Sequence, residues 1–349
     1  MTSSKDMPPV TAGYLSMFFK NQFFSKLPRT PAETQLRGQT ALVTGASSGL
    51  GLESARQMLA LGLSYLIIAV RSPERGKAAA AQLRAANPSA RIDVWPLEME
   101  SYQSVQAFAQ RCATELARID IAVLNAGVAE ADFCLAASTG HEKTMQVNYL
   151  STVLLVILLL PVLKAKASAG ASARITVVNS MMSTFTKFAN RDQRPLLGSF
   201  DDTKVTPWDP SERYNVSKLL GQLFLSRLAD RVAPEDVVIN MVEPGLVKGT
   251  GLFRNLHGVT GAVLDLLKSA SARPVEEGAL TYIDAVAVKG RESHGCFIVL
   301  CKIHPLATIT YKPEMKAVSD QLWEETLDEF RFADARGILE SVSNRTTAV

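Results

Sequence analysis

Near the start of the chain, an apolar run leads directly into three closely spaced glycines: Thr40-Ala41-Leu42-Val43-Thr44-Gly45-Ala46-Ser47-Ser48-Gly49-Leu50-Gly51. The apolar run predicts a buried strand, and the glycines allow a sharp turn into a following helix. A helix N-terminus offers unpaired N–H groups and partial positive charge, so it attracts a pyrophosphate. Any tight strand-to-helix turn can use glycine, and the G-x-x-x-G-x-G spacing departs from the commonest dinucleotide fingerprint. The position after a buried strand nevertheless predicts a dinucleotide-binding turn.

Beyond this turn, apolar segments alternate regularly with helical ones. The apolar segments predict strands at residues 65–70, 92–97, 121–124, 174–179 and 237–242. Such alternation indicates β-α-β units and a parallel sheet. We therefore predict an α/β fold, a single Rossmann-type domain with a doubly wound parallel sheet of about seven strands and helices on both faces.

The predicted domain spans residues 38–312 and is flanked by two smaller segments. Residues 1–37 form an N-terminal extension, and residues 313–349 form a C-terminal helix and a polar tail. Apolar and aromatic residues recur at helical spacing between positions 14 and 27, which predicts a helix packed on the domain. A helix lying on a membrane surface or on a partner is the alternative.

The composition is that of a globular protein, with 349 residues, 47% hydrophobic and 20% charged, and a formal net charge of +3. This charge is too small and too evenly spread to indicate a nucleic-acid partner. The four cysteines, Cys112, Cys134, Cys296 and Cys301, form no C-x-x-C pair. No histidine lies at zinc spacing from another ligand, so we expect free thiols and no metal.

Three further features bear on location. The first ten residues carry no signal-peptide pattern. Asn215-Val216-Ser217 would accept a glycan in a secreted protein, inside a motif that we interpret below as catalytic. The apolar run 152–163 is too short for a membrane span and contains Pro161, so we expect a buried helix. Together these features favour a cytoplasmic protein.

The end of the second predicted strand indicates which dinucleotide binds. An acidic residue there would bind a ribose 2′-hydroxyl, whereas a basic residue would pair with a 2′-phosphate. The sequence has Arg71 and no acid, with Ser47 and Arg75 as further candidates. An arginine fork suits phosphate, so NADP(H) is the predicted cofactor. A solvated surface arginine is the alternative for Arg71.

Several short motifs occur in the order found in one enzyme family: the turn 44–51, Asn125-Ala126-Gly127, Asn148, Ser180, Tyr214-x-x-x-Lys218 and Pro244-Gly245. Over residues 38–255 the chain resembles the short-chain dehydrogenases/reductases, and in detail their retinol-dehydrogenase-like branch and its fungal relatives. The resemblance implies Asn148, Ser180, Tyr214 and Lys218 as catalytic residues. With the residues above it implies a cofactor site formed by Gly45, Ser47, Ser48, Gly49, Leu50, Gly51, Arg71, Glu98, Asn125, Ala126, Gly127, Tyr214, Lys218, Pro244, Gly245, Val247 and Thr250.

The catalytic residues also make chemical sense by themselves. Tyr214 and Lys218 are four apart and share one helix face. A cation beside a phenol favours the phenolate, so we expect the pKa of Tyr214 to be lowered. Ser180 follows a buried strand, where it can hydrogen-bond the substrate oxygen. By resemblance, Lys218 also contacts the ribose and Asn148 holds a water that connects Lys218 to solvent.

Four features depart from the family pattern or leave alternatives open. An insertion at 184–213 separates Ser180 from Tyr214, and it either lines the pocket or forms a surface loop. Glu98 stands where the family usually has aspartate near the adenine. Met181 and Met182 either shape an apolar pocket or pack in the core. Residues 249–273 form either an apolar lid, with Thr250 contacting the carboxamide, or an ordinary loop.

Taken together, the sequence predicts an NADP(H)-dependent oxidoreductase that interconverts a carbonyl and an alcohol. We expect reduction of a ketone or aldehyde on a hydrophobic small molecule, in secondary metabolism. The alternative is an NADP(H)-binding protein of this fold that catalyses a non-redox step such as cyclisation. The resemblance also implies a homodimer, although the extension and the tail are placed where they would block the usual helix pairing.

Overall fold

The computed structural model describes residues 3–11, 13–168, 170–249, 251 and 272–343. Its strands are β1 (Thr40–Thr44), β2 (Tyr65–Val70), β3 (Arg91–Pro96), β4 (Ile121–Leu124), β5 (Ala173–Val178), β6 (Val237–Glu243), β7 (Phe297–Val299) and β8 (Lys302–His304). In the described residues they form one sheet, in the order β3-β2-β1-β4-β5-β6-β7-β8. The strand order reverses where β1 pairs with both β2 and β4, the point at which doubly wound sheets bind nucleotides.

Strands β1 to β7 pair in parallel, and β8 is antiparallel to β7. The predicted α/β fold is confirmed, with one strand more than the seven expected. A tight turn at Leu300 and Cys301 connects β7 to β8, and both residues have positive φ, 52° and 59°. Leucine and cysteine rarely adopt a positive φ, so the sequence contains no residue that would signal a turn at this position.

Helices cover both faces of the sheet. They are α1 (Tyr14–Phe19), α2 (Gly49–Ala60), α3 (Pro73–Ala86), α4 (Tyr102–Glu115), α5 (Lys143–Lys166), α6 (Pro210–Ala229), α7 (Val275–Ile283), α8 (Met315–Glu329) and α9 (Ala335–Val342). Successive strand residues point to opposite faces. Leu42 and Ile67 therefore pack against α4, α5 and α6, whereas Val43 and Ile68 pack against α2, α3 and α7.

Helix α5 is apolar on every side because it lies inside the protein. By length and composition alone it could cross a membrane, but 89% of its most apolar window is buried. The expected burial of residues 152–163 is confirmed. The helix widens to π-helical geometry over Gln146–Ser151, a feature that often accompanies functional sites. Asn148 lies within this widened turn.

The insertion at 184–213 is packed rather than loose. Phe188 and Phe200 are buried, and Arg213 forms a buried ion pair with Glu142 at 3.1 Å. The backbone N–H groups of Leu196 and Leu197 both donate to the carboxylate of Glu325 on α8, each at 2.8 Å. The insertion is therefore fixed to the C-terminal part of the chain.

One histidine reinforces this attachment. His141 Nδ1 lies 2.8 Å from Asp201 of the insertion, and His141 Nε2 lies 3.2 Å from Glu329 of α8. Burial alone would lower the pKa of His141, but the two carboxylates raise it to about 9. The imidazolium therefore links the insertion to α8.

The C-terminal region is more extensively folded than predicted. A single helix was expected over 313–332 and a frayed end from Ser341 onwards. Instead α8 ends at Glu329 and a second helix, α9, continues to Val342, with Leu339 and Val342 buried. Residues 344–349 lie outside the described part of the chain.

Candidate active site

A cavity of about 720 Å³ opens at the carboxyl ends of the parallel strands. Parallel α/β sheets bind their ligands at this edge, because the loops that follow the strands converge there. Most residues predicted from the sequence to bind the cofactor line this cavity, as do Ser180, Tyr214 and Lys218. The predicted site residues are therefore brought together in one place.

The turn after β1 forms one end of the cavity. Gly45, Ser47, Ser48, Gly49 and Leu50 line it, and α2 begins at Gly49 with its N-terminus towards the cavity. Gly45 and Gly49 have φ values of 69° and 58°, which glycine adopts without strain.

Gly51 lies behind the turn, where no side chain would fit. A Cβ at this position would come within 2.6 Å of the Asn125 side-chain nitrogen and 2.9 Å of the Gly45 carbonyl oxygen. Thr44 Oγ1 accepts hydrogen bonds from the N–H groups of Asn125 and Ala126, both at 2.9 Å. These contacts hold the turn in the shape that suits a pyrophosphate.

Arg71 occupies the predicted position at the end of β2, facing the cavity with its side chain 47% exposed. Its guanidinium lies 3.4 Å from Glu100 and 3.8 Å from Glu98. Glu98 itself lines the cavity beside it. A 2′-phosphate near Arg71 would therefore compete with the carboxylates of Glu98 and Glu100 for the guanidinium.

Ser180 and Tyr214 form the centre of the site. Their side chains both line the cavity, and Ser180 is close enough to Tyr214 to lower the pKa of its phenol. Helix α6 begins at Pro210, earlier than the predicted start at Tyr214, because the Asp209 side chain accepts a hydrogen bond from the Glu212 N–H at 3.0 Å. Tyr214 thus lies in a fully formed helical turn that fixes its side chain.

The expected lowering of the Tyr214 pKa is wrong for this arrangement. Burial raises the pKa of Tyr214 to about 12, the Ser180 hydrogen bond lowers it less, and Glu243 raises it further. Lys218 Nζ donates to the Val178 carbonyl at 2.9 Å and lies 5.7 Å from the Tyr214 ring centre. Loss of hydration therefore outweighs the cation.

Lys218 is buried and its charge is costly. Burial lowers the pKa of Lys218 to about 8. A Cβ added to Gly127 would lie 3.7 Å from its Nζ, so the Asn125-Ala126-Gly127 segment and Lys218 face each other. The Lys218 ammonium therefore lies beside the predicted cofactor segment Asn125-Ala126-Gly127.

Asn148 stands behind the cavity wall rather than in it. Its side-chain oxygen accepts a hydrogen bond from the Val128 N–H at 2.9 Å, and its nitrogen donates to the Val128 carbonyl at 2.9 Å and to Ser217 at 3.1 Å. Asn148 therefore holds the segment after β4 against α6. Its role in holding a water stays a prediction that follows from the family resemblance.

The loop after β6 forms another wall of the cavity, with Val247 close to Leu50 of the phosphate turn. Pro244, Gly245 and Val247 line the cavity, and Gly245 has a φ of 83°. Thr250 and nearly all of the predicted lid, residues 252–271, lie outside the described residues. Within the described ends of that segment, Arg273 lines the cavity.

Sequence reasoning missed several titratable residues in the cavity, among them Glu243 and Tyr282. Burial raises the pKa of Glu243 to about 7, against the lowering effects of the Gly245 N–H and of Arg273. Tyr282 donates from its hydroxyl to Asn125 Oδ1 at 3.0 Å. An acid at the end of a buried strand, directly before Pro244, was a readable signal for Glu243. No such signal marked Tyr282, which comes from α7.

The remaining apolar candidates line the cavity. Met181, Met182 and Phe185 all line the cavity, so part of the insertion region forms its wall. Met17, Asn21 and Gln22 of the N-terminal extension also line it, which the sequence did not predict. In the described part of the chain, no group of three His, Cys, Asp or Glu side chains is placed to hold a metal ion.

Known proteins resemble this chain over nearly its whole length. A family model described as short chain dehydrogenase matches residues 39–190. The short chain dehydrogenase/reductase mfmJ of Annulohypoxylon moriforme is 48% identical over 343 residues, covering 98% of this chain and 99% of that protein. The short-chain dehydrogenase fogG of Aspergillus ruber is 40% identical over 341 residues, covering 96% and 97%.

Solved structures share the fold at lower identity. The NADPH-dependent 3-quinuclidinone reductase of Rhodotorula rubra has a TM-score of 0.58 and 20% identity, covering 82% of this chain and 98% of that one. The RhlG/NADP active-site complex of Pseudomonas aeruginosa has a TM-score of 0.57 and 24% identity, covering 79% and 97%. At these identities the likeness shows the fold alone.

Proposed function

The chain belongs to the short-chain dehydrogenase/reductase family, and from this premise we propose that it is an NADP(H)-dependent oxidoreductase interconverting a carbonyl and an alcohol. The observation that carries the proposal is that Ser180, Tyr214 and Lys218, the last one turn further along α6, line the same cavity as the phosphate turn. Cells hold NADP mostly reduced, so reduction of a ketone or aldehyde is the proposed direction.

The proposed reduction moves a hydride to the carbonyl carbon and a proton to the carbonyl oxygen. When bound, the nicotinamide supplies the hydride. Ser180 and Tyr214 hold the carbonyl oxygen, and Tyr214 delivers its hydroxyl proton as negative charge develops there. Because the pKa of Tyr214 is about 12, the phenol is protonated at neutral pH, which suits a proton donor. The Lys218 ammonium, 5.7 Å from the ring centre, stabilises the phenolate left behind.

The residues present fit a dinucleotide with a 2′-phosphate. Gly45 and Gly49 let the backbone approach a pyrophosphate, and Arg71 supplies a cation at the adenosine end. One of the two solved structures above is an NADP complex and the other is an NADPH-dependent reductase, which supports the same cofactor. Glu98 and Glu100 compete for Arg71, so the preference for phosphate depends on the guanidinium turning towards it.

The proposed substrate is a hydrophobic small molecule, in keeping with the methionines and Phe185 in the wall. The fungal relatives support a role in secondary metabolism. The described cysteines are free thiols, which supports the proposed cytoplasmic location. The alternative function, a non-redox step on the same fold, is disfavoured by the assembled Ser180, Tyr214 and Lys218.

The first test is a titration of the purified protein with NADPH and with NADH, followed by cofactor fluorescence. In Arg71→Ala, NADPH should bind about ten- to a hundredfold more weakly, since a charge-assisted hydrogen bond contributes about 1.5–3 kcal/mol. NADH binding should change little. Arg56→Ala is the matched control, because Arg56 is similarly exposed and pairs with Glu53 instead.

A carbonyl screen follows, with Tyr214→Phe as the inactive control. Equal loss of NADPH and NADH binding in Arg71→Ala would contradict the phosphate role of Arg71. Binding of neither cofactor by the wild type would overturn the oxidoreductase proposal as a whole.

A further inference from the structure

We propose that residues 13–25, here called the roof segment, form a wall of the active site, with Gln22 as a positioning residue for the loop after β6. The inference rests on the proposed function for its catalytic consequence, although the contacts that support it do not. The segment consists of α1 and a π-helical turn, Lys20–Phe24. It precedes residues 39–190, which the family model matches.

Gln22 is hydrogen-bonded to the loop after β6, next to the cavity. Its side-chain nitrogen donates to the Leu246 carbonyl oxygen at 2.8 Å, and the same oxygen accepts the Arg273 N–H at 2.8 Å. Leu246 stands between Gly245 and Val247, and all three line the cavity. In a trans peptide the C=O of Leu246 and the N–H of Val247 point in opposite directions, so the bond from Gln22 sets the direction of both.

Arg273 ties the roof segment to the same loop. Its guanidinium donates to the backbone carbonyls of Asn21 and Ser25, the latter at 3.0 Å. Its backbone also pairs with Leu246 and with Lys248, whose N–H donates to the Arg273 carbonyl at 2.9 Å. Carbonyls at the end of a helix carry partial negative charge, which compensates the buried cation. One residue thus joins the start of the chain to the loop after β6.

The described side chains of the roof segment turn two amides inward beside the buried Met17 and leave three aromatic rings exposed. An amphipathic helix normally buries its aromatic side and exposes its amides. Here the amide residues Asn21 and Gln22 face the cavity, while Phe19 and Phe23 are each 49% exposed and Phe24 is 82% exposed. An amide side chain that faces inward loses its hydration, which costs free energy unless the amide forms hydrogen bonds there. The arrangement therefore points to a role in the site rather than in the core.

These contacts place the roof segment beside the loop after β6. Gln22 Oε1 lies 3.5 Å from where a Cβ of Gly245 would be. The loop it fixes is the one that the family resemblance assigns to the nicotinamide. Loss of the Gln22 bond should therefore disturb hydride transfer while leaving the phosphate and adenosine contacts in place. The alternative of membrane-surface contact through residues 14–27 stays a prediction.

The test compares Gln22→Met, which keeps the side-chain length and loses the donor, with Phe24→Ser, a control in the same segment outside the cavity. Emission from bound NADPH comes from the nicotinamide ring and so reports on that end alone. In Gln22→Met we expect a changed emission maximum, NADPH affinity within about threefold of wild type, and a kcat with phenanthrenequinone lower by about ten- to a hundredfold. Phe24→Ser should match the wild type in all three.

A second measurement does not depend on activity. Hydrogen exchange of the Lys248 and Arg273 amides, whose bonds lie beside Leu246, should quicken in Gln22→Met and not in Phe24→Ser. If the wild type binds no NADPH, the proposed function fails and this exchange still tests the roof segment. Wild-type exchange, emission and kcat in Gln22→Met would overturn the inference. So would an unchanged kcat in a folded chain that begins at Leu27.

Discussion

Replacing Lys218 with methionine should make the protein inactive and more stable. Lys218 is 6% exposed, and burial lowers its pKa from 10.5 to about 8. In the unfolded chain the ammonium is fully hydrated. At a pH below about 8, folding must therefore either remove water from this charge or release its proton. Methionine fills a similar volume without a charge, so this cost disappears in the variant.

The magnitude follows from the two pKa values. A tenfold change in proton affinity corresponds to about 1.4 kcal/mol, so charged Lys218 costs about 3 kcal/mol near pH 7. The variant loses the hydrogen bond to the Val178 carbonyl, which offsets about 1 kcal/mol. The net gain is about 2 kcal/mol, or about 3 °C in Tm for a chain of this length. A lysine with a lowered pKa gives full stability only above its unfolded pKa, so the gain should nearly vanish by about pH 9.5.

Urea denaturation at pH 7.0 and 9.5 measures this difference, with Lys187→Met as the control. Lys187 is exposed on the insertion, so its replacement should show no pH-dependent gain. Carbonyl reduction by Lys218→Met should fall by at least about a hundredfold. A variant less stable than the wild type at pH 7.0, or a gain of equal size at both pH values, would refute the desolvation argument.

Two further substitutions test titratable groups. Glu243 has its pKa raised from 4.5 to about 7, so its stabilising contribution is present below 4.5 and lost as the pH rises through 7. The free energy of unfolding of Glu243→Gln should therefore exceed that of the wild type at pH 8 by about 1–2 kcal/mol, a value reduced for screening by cavity water. Near pH 4.5 the two proteins should be equally stable. Equal differences at both pH values would contradict this. His141 has its pKa raised from 6.5 to about 9, so its contribution is present below 6.5 and lost above 9. Thermal unfolding of His141→Gln should show a lower Tm than wild type at pH 6 and no difference near pH 10, and a constant difference would exclude a role for the charged pairs with Asp201 and Glu329.

The sequence predicted the elements whose signals are local. The apolar run before Gly45 and the alternation after it reflect periodicities of the backbone itself, and the strands came out close to their predicted bounds. Most of the cofactor residues were predictable because they follow strand ends, and strand ends of a parallel sheet converge. Strand β8 was missed because Lys302–His304 is short and follows a turn with no glycine, proline or asparagine at its positive-φ positions.

What sequence could not predict depends on contacts between distant residues. The pKa of Tyr214 was expected to fall because Lys218 lies on the same helix face, but burial acts on both side chains and dominates. Gln22 and Leu246 are 224 positions apart, and no pattern in either segment signals their contact. The pairing of Arg71 with Glu100 likewise emerges only when the loops after β2 and β3 are brought side by side.

The contacts between the insertion and α8 connect the wall of the cavity to the C-terminal helices. Glu325 holds the Leu196 and Leu197 amides of the insertion, while Phe185 of the insertion stands in the cavity wall. Substitutions in the C-terminal helices can therefore reshape the cavity wall from outside it. Substitutions there belong in any library built to change its substrate range.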